Sequence, residues 1–215
     1  MICSNGWKAH LIIIGEPKKL SHSLVQMNFY SIFIVMNKKI PHVSVDIEAN
    51  GPIIGKNSMI SFGMVIVEQG LKRTFYREIK PISDSFIPEA LAVSGFTHEQ
   101  TKQFMDPLQA MQEASQWLFE NIEARPIFWA DNPAFDFPWM NYYFLTFINK
   151  NPFGHSARRI GDLAAGIELD TRYQWKFLRK GSGVKHTHNA LDDATGNAYA
   201  LLQLFNRMEV LLKAQ

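Results

Sequence analysis

The chain has 215 residues, 47% hydrophobic and 20% charged, with a formal net charge of +2. That is the size and texture of one globular domain, or one domain with an extension, able to bury a full core. Its single cysteine, Cys3, excludes an internal disulfide and a zinc site of several thiolates, and no apolar run reaches the ~18 residues of a membrane-spanning helix.

Residues 1–38 read as an N-terminal extension peripheral to a domain of residues 39–215. Up to Lys39 there are five lysines, no arginine and one acid, Glu16. The apolar runs at 11–14 and 32–36 fit neither a secretory signal nor a transit peptide. A change of texture at Met36 makes that residue the expected working start, and a cytoplasmic location is expected.

From Pro41 the pattern is regular. Residues 42–49 alternate as a strand and end at a turn around Gly51-Pro52. Residues 59–68 and 74–79 are two further strands, rich in Ile, Val, Phe and Tyr, which makes a meander. Helices follow at 88–93, at 98–103 with Thr97 as N-cap, and at 107–122. Residues 125–130 return as a strand. Pro138 predicts the first turn of a helix running to about residue 149. Residues 150–185 read as irregular with short helices, and a last helix is expected over 188–213. The sum is a mixed α/β domain.

Three separated polar pieces stand beside these elements. Asp46 and Glu48 lie two apart on the first strand, so both leave one face while Val43, Val45 and Ile47 leave the other. Two adjacent carboxylates repel unless a cation lies between them; the plainer reading is a solvated strand face. Asp136 follows the strand at 125–130, where it serves a site or caps the next helix. Asn132 can brace that turn through an Asx bond. On the last helix the apolar stripe Leu191, Ala194, Ala198, Leu201, Phe205 leaves Asp193 about 100° and Asp192 about 160° from its centre. Asp193 therefore borders the buried face and Asp192 faces water. His188 falls at the helix start, with His186 close by. Without thiolates, oxygen ligands dominate any metal site, which favours Mg²⁺ or Mn²⁺.

The order D-x-E (Asp46, Glu48), N-x-x-F-D (Asn132 to Asp136) and H-x-x-x-x-D (His188 to Asp193) resembles the DEDDh exonucleases. These are RNase H-like 3′→5′ enzymes. The likeness spans roughly Pro41 to Leu212 and includes Gly95-Phe96-Thr97 and the run from Ile60 to Val65. Ala49 and Asp131 depart from it, standing where the family often has Thr and His. The resemblance implies an RNase H-like mixed central sheet flanked by helices and two Mg²⁺ (or Mn²⁺) ions. It implies Asp46, Glu48 and Asp193 on the first ion, Asp46 and Asp136 on the second, and His188 as general base. It also implies single-stranded DNA or RNA 3′ ends as substrate, and a homodimer is entertained. A catalytically silent nucleic-acid-binding or polymerase-accessory module of this fold is the alternative, and a metal phosphatase a third reading.

Between His155 and His188, Arg158, Arg159, Arg172, Lys176, Arg179, Lys180 and Lys185 stand against three acids. The stretch suits a nucleic-acid backbone, or is a solvated loop. The turn 50–53 could press on a terminal nucleotide. Among the many aromatic residues of 128–147, only Phe137 and Trp139 are given a share in stacking.

Overall fold

A computed structural model describes residues 40–213, so the reading of residues 1–38 as an extension lies outside the described residues. Five strands form one sheet in the order β3-β2-β1-β4-β5. They are β1 (His42–Ala49), β2 (Met59–Ile66), β3 (Thr74–Glu78), β4 (Ile127–Ala130) and β5 (Ala157–Arg159). The first three form the meander, antiparallel throughout. β4 and β5 add in parallel beyond β1. The helices are α1 (Pro88–Val93), α2 (His98–Thr101), α3 (Pro107–Asn121), α4 (Pro133–Ile148), α5 (Ile160–Glu168) and α6 (Ala190–Lys213). A 3₁₀ segment, Trp175–Ser182, lies between the last two.

The alternation of β1 decides the layering. Val43, Val45 and Ile47 point into the main core, with Phe62 and Met64 of β2 and Met111, Leu118, Trp139 and Phe144 from α3 and α4. The opposite face carries Ser44, Asp46 and Glu48 and lies under α6. There Val65 packs on Ala194 and Ala198, and Trp129 joins Ile160, Trp175, Leu201 and Leu204. Covered on both faces, β2 is buried along its whole length, as its continuous apolar run requires.

Local chemistry sets several boundaries. Thr97 and Gln100 form a reciprocal capping box that starts α2. Asp106 caps α3 by accepting from the Leu108 and Gln109 amides, with Pro107 at the first helical position.

Four expectations need correction. α4 starts at Pro133, not near Pro138, so Pro133 takes the first-turn position and Pro138 lies inside the helix. Asn132 makes no side-chain cap there; its carbonyl accepts from the Phe135 and Asp136 amides instead. The stretch expected to be irregular with short helices does hold two, α5 and the 3₁₀ segment, but it also holds the strand β5, which was not expected. α6 begins at Ala190, with Asn189 as its cap: Asn189 Oδ1 accepts from the Leu191 amide at 3.0 Å and the Asp192 amide at 3.2 Å. His188, expected within the helix, takes a left-handed backbone (φ 56°) just before it.

Candidate active site

β1 supplies the first two acids. Its pairing with β4 covers only His42, Val43 and Ser44. Beyond that point the Ile47 amide has no β4 partner, and it donates to Asp136 Oδ1 at 3.3 Å. The short length of β4 thus lets the first turn of α4 press Asp136 against β1, between Asp46 and Glu48. Asp136 is 5% exposed. It lies in a helix, not in a loop, and its carboxylate accepts from the Ile47 amide of β1 as well as interacting with amides of its own helix end, Asn132 and Asp136.

α6 supplies the last acid, and Gly63 determines how closely. Gly63 faces Asp46 across the β1–β2 register. A Cβ on Gly63 would lie 2.5 Å from the Ala190 carbonyl oxygen and 2.6 Å from Leu191 Cα. Only glycine allows the first turn of α6 to rest on the sheet there. That contact brings Asp193 over β1. Oxygens of Asp46, Glu48 and Asp193 lie within 4.8 Å of one another.

Asp193 is 2% exposed, while Asp192 is half-buried and accepts from Thr187 Oγ1 at 3.0 Å. Helical phase separates these two neighbours as the apolar stripe requires.

The cluster is electrostatically costly. Burial, then the charges of Asp136, Asp193 and Glu48, push the Asp46 carboxyl well above the usual range, against a smaller opposing effect of Arg179. Burial, then Asp193 and Asp136, push Glu48 up to about 8. Burial pushes Asp136 up to about 7, although the Ile47 amide favours its ionised form. A hard divalent cation relieves all three, and an all-oxygen donor set of this spacing fits Mg²⁺ or Mn²⁺.

His188 is 50% exposed at the edge of the cluster, its Nδ1 4.0 Å from Glu48 Oε1. It has no hydrogen-bond partner among the described residues. Its ring stands 4.5 Å, centre to centre, from that of His186. The two groups nearest Asp193 are ones sequence reasoning did not assign. His186 Nδ1 lies 2.6 Å from Asp193 Oδ1, and Arg179 Nη2 donates to the same oxygen at 2.7 Å. Neither follows from a local pattern; the one sequence trace is Gly196, three residues after Asp193, against which the guanidinium lies.

Around the acids, Asn50 secures the turn after β1: its Oδ1 accepts from the Ser58 amide at 2.7 Å. This leaves Ile53 exposed at the tip. Trp139, given a share in stacking, is buried, and Phe137 packs on Phe128; the exposed ring of this group is Phe135. Asp131 is ion-paired with Lys176 at 2.6 Å.

Comparison with known proteins finds relatives among exonucleases. The RNase T family model, described as Exonuclease, matches residues 43–201. The 3′-5′ DNA exonuclease Cap18 of Escherichia coli is 33% identical over 176 residues, covering 77% of this chain and 91% of its own. The nuclease domain of 3′hExo, a DEDDh family member bound to rAMP, superposes with a TM-score of 0.64 at 14% identity, over 79% of this chain and 94% of that one. Exonuclease I of E. coli, in complex with a dA16 oligonucleotide, gives 0.62 at 12% identity, over 82% of this chain and 43% of that one. At such identities the two structures speak for the fold alone.

Proposed function

Because the chain belongs to the RNase T exonuclease family, we propose that it removes nucleotides from the 3′ ends of single-stranded DNA by metal-dependent hydrolysis. The observation that carries this reading is the convergence of Asp46, Glu48 and Asp193 within 4.8 Å, from a strand and a helix far apart in sequence. DNA is chosen on the name of the E. coli relative, a DNA exonuclease. A single strand is chosen because another similar structure is of E. coli ExoI in complex with ssDNA. The catalytic unit is residues 39–215. A homodimer plays no part in the reading.

Asp46, Glu48 and Asp193 would hold one Mg²⁺ or Mn²⁺ ion, and Asp46 with Asp136 a second. Bound there, the ions supply Lewis acidity to the attacking water and to the departing 3′ oxygen. His188 receives the water proton; its exposure and its lack of a hydrogen-bond partner leave the ring free to do so. The water oxygen bonds to phosphorus as the bond from phosphorus to the 3′ oxygen breaks. The products are a nucleoside 5′-monophosphate and a strand one residue shorter with a 3′ hydroxyl. His186 serves differently, since its Nδ1 is engaged with Asp193. Lys180 and Lys185, which line the cleft beside the acids, hold the strand's phosphates.

The test is digestion of a 3′-labelled single strand with Mg²⁺, with and without chelator, beside matched RNA. Release of labelled mononucleotide that chelator abolishes is expected, faster from DNA. An intact strand with Mg²⁺ present refutes the reading. Binding without release supports the silent module, and cleavage of a small phosphate monoester alone supports a phosphatase.

A further inference from the structure

Arg179 is placed oddly for a residue that only grips substrate. Its side chain is 13% exposed, and it is spent on Asp193, itself 2% exposed. It lies across α6 where the helix has no side chain: a Cβ on Gly196 would sit 3.0 Å from Arg179 Nε and 3.4 Å from Nη2. A glycine inside a helix costs stability, and here it makes room for a guanidinium against a proposed metal ligand. Arg179 also borders a cleft of about 440 Å³ with Lys176, Lys180, Lys185 and His186. One end of this side chain therefore joins the acids to a basic cleft suited to phosphate.

Charge counting gives the arrangement a direction. Four ionised carboxylates balance two divalent cations. Arg179 then leaves the loaded site one positive charge in excess, and one phosphodiester carries the single negative charge that cancels it. Before loading, Arg179 is the one permanently charged group hydrogen-bonded to the four acids among the described residues.

We propose that Arg179 is the internal counter-cation of this site: it holds Asp193 before metal enters, opposes metal loading, and favours a phosphodiester once metal is bound. The coupling makes a loaded, substrate-free site weaker than a loaded, substrate-filled one. The proposal rests on the reading of these acids as a metal site. It differs from a merely bracing role, in which Arg179 would fix the Asp193 carboxylate and strengthen metal binding.

The experiment is Mn²⁺ titration of the full chain by calorimetry, without nucleic acid, at fixed pH and ionic strength. Arg179→Met keeps the aliphatic stem and removes the charge. It is expected to bind Mn²⁺ roughly tenfold more tightly than wild type, the scale of one charge-assisted hydrogen bond. In saturating Mn²⁺, the same variant should bind a phosphorothioate-ended single strand about tenfold more weakly, while in chelator the two proteins should match. Equal or weaker Mn²⁺ binding by Arg179→Met overturns the proposal and leaves the nuclease reading intact. Absence of Mn²⁺ binding by wild type overturns the metal-site reading, and this proposal with it. Should Arg179→Met fail to fold by circular dichroism, Arg179→Gln replaces it; it too removes the charge, so tighter Mn²⁺ binding supports the proposal and equal or weaker binding overturns it.

Discussion

Loading the site with metal at pH 7 should release protons in a number set by the buried acids. Glu48 is pushed up to about 8 and Asp136 to about 7 in the metal-free protein. At pH 7 the first is roughly nine-tenths protonated and the second roughly half. Metal ligands must be ionised, so these two groups alone give up between about one and two protons per site filled. Asp46, also raised, adds to the count. The sign for stability follows. Between roughly pH 4.5 and 8 the folded, metal-free chain holds protons on these acids that the unfolded chain has lost. Raising pH through that window therefore lowers its stability, by an amount on the order of a few kcal/mol for Glu48, and Mn²⁺ should restore it. The assay is calorimetric titration of Mn²⁺ in Pipes, Hepes and Tris, whose ionisation enthalpies differ; the slope of observed heat against ionisation enthalpy counts protons. A slope below about 0.3 proton would mean that the acids are already ionised together without metal, and the electrostatic account of the cluster would be wrong.

Asp193→Ala should lower the rate by roughly a thousandfold or more, while Asp192→Ala stays within about twofold, measured by release of labelled mononucleotide. Equal loss in both would show that the phase of α6 is misread. His188→Ala should reduce kcat by roughly 10²- to 10⁴-fold with little change in KM, and a rise in KM alone would move the residue from proton transfer to binding. Gly63→Ala forces backbone apart at the β2–α6 contact. It should cost about 1–3 kcal/mol in chemical denaturation, and the displaced Asp193 should cost up to about 10² in rate. If both stay at wild-type levels, the close approach does not position the acid. Affinity for a single strand should fall roughly 20- to 50-fold between 50 and 200 mM salt if three or four phosphates are gripped; a flat response would mean that the basic side chains of residues 155–188 are merely solvated.

What the sequence makes legible here is local and periodic. Alternation along β1 put Asp46 and Glu48 on one face, and the apolar stripe of α6 separated Asp193 from Asp192, because both arguments use only the repeat of the element. α4 was misjudged where a local rule met a tertiary demand. Pro138 favours a first turn, yet the helix already starts at Pro133. It continues through Pro138 because Trp139, Met140, Tyr143 and Phe144 all bury on one core. β5 has the composition Ala-Arg-Arg and shows no apolar pattern. Its place comes from the free edge of β4, with Arg158 laid over the Trp129 ring at 5.6 Å. Gly63 reads as a weak point in an apolar strand until the α6 turn above it is seen.

Arg179 is the extreme case. A flexible cation in an irregular basic stretch can serve many partners, and no repeat says which one it takes. The acids of this site ride on elements whose periods are written in the chain, so their meeting could be expected. The cation that offsets them rides on the 3₁₀ segment, whose course is set by what it packs against: Trp175 in the second core and Gly196 under the guanidinium. Substitutions that leave every periodic element intact can therefore still change the charge balance of the site, and Arg179→Met, on the 3₁₀ segment, is the clearest of them.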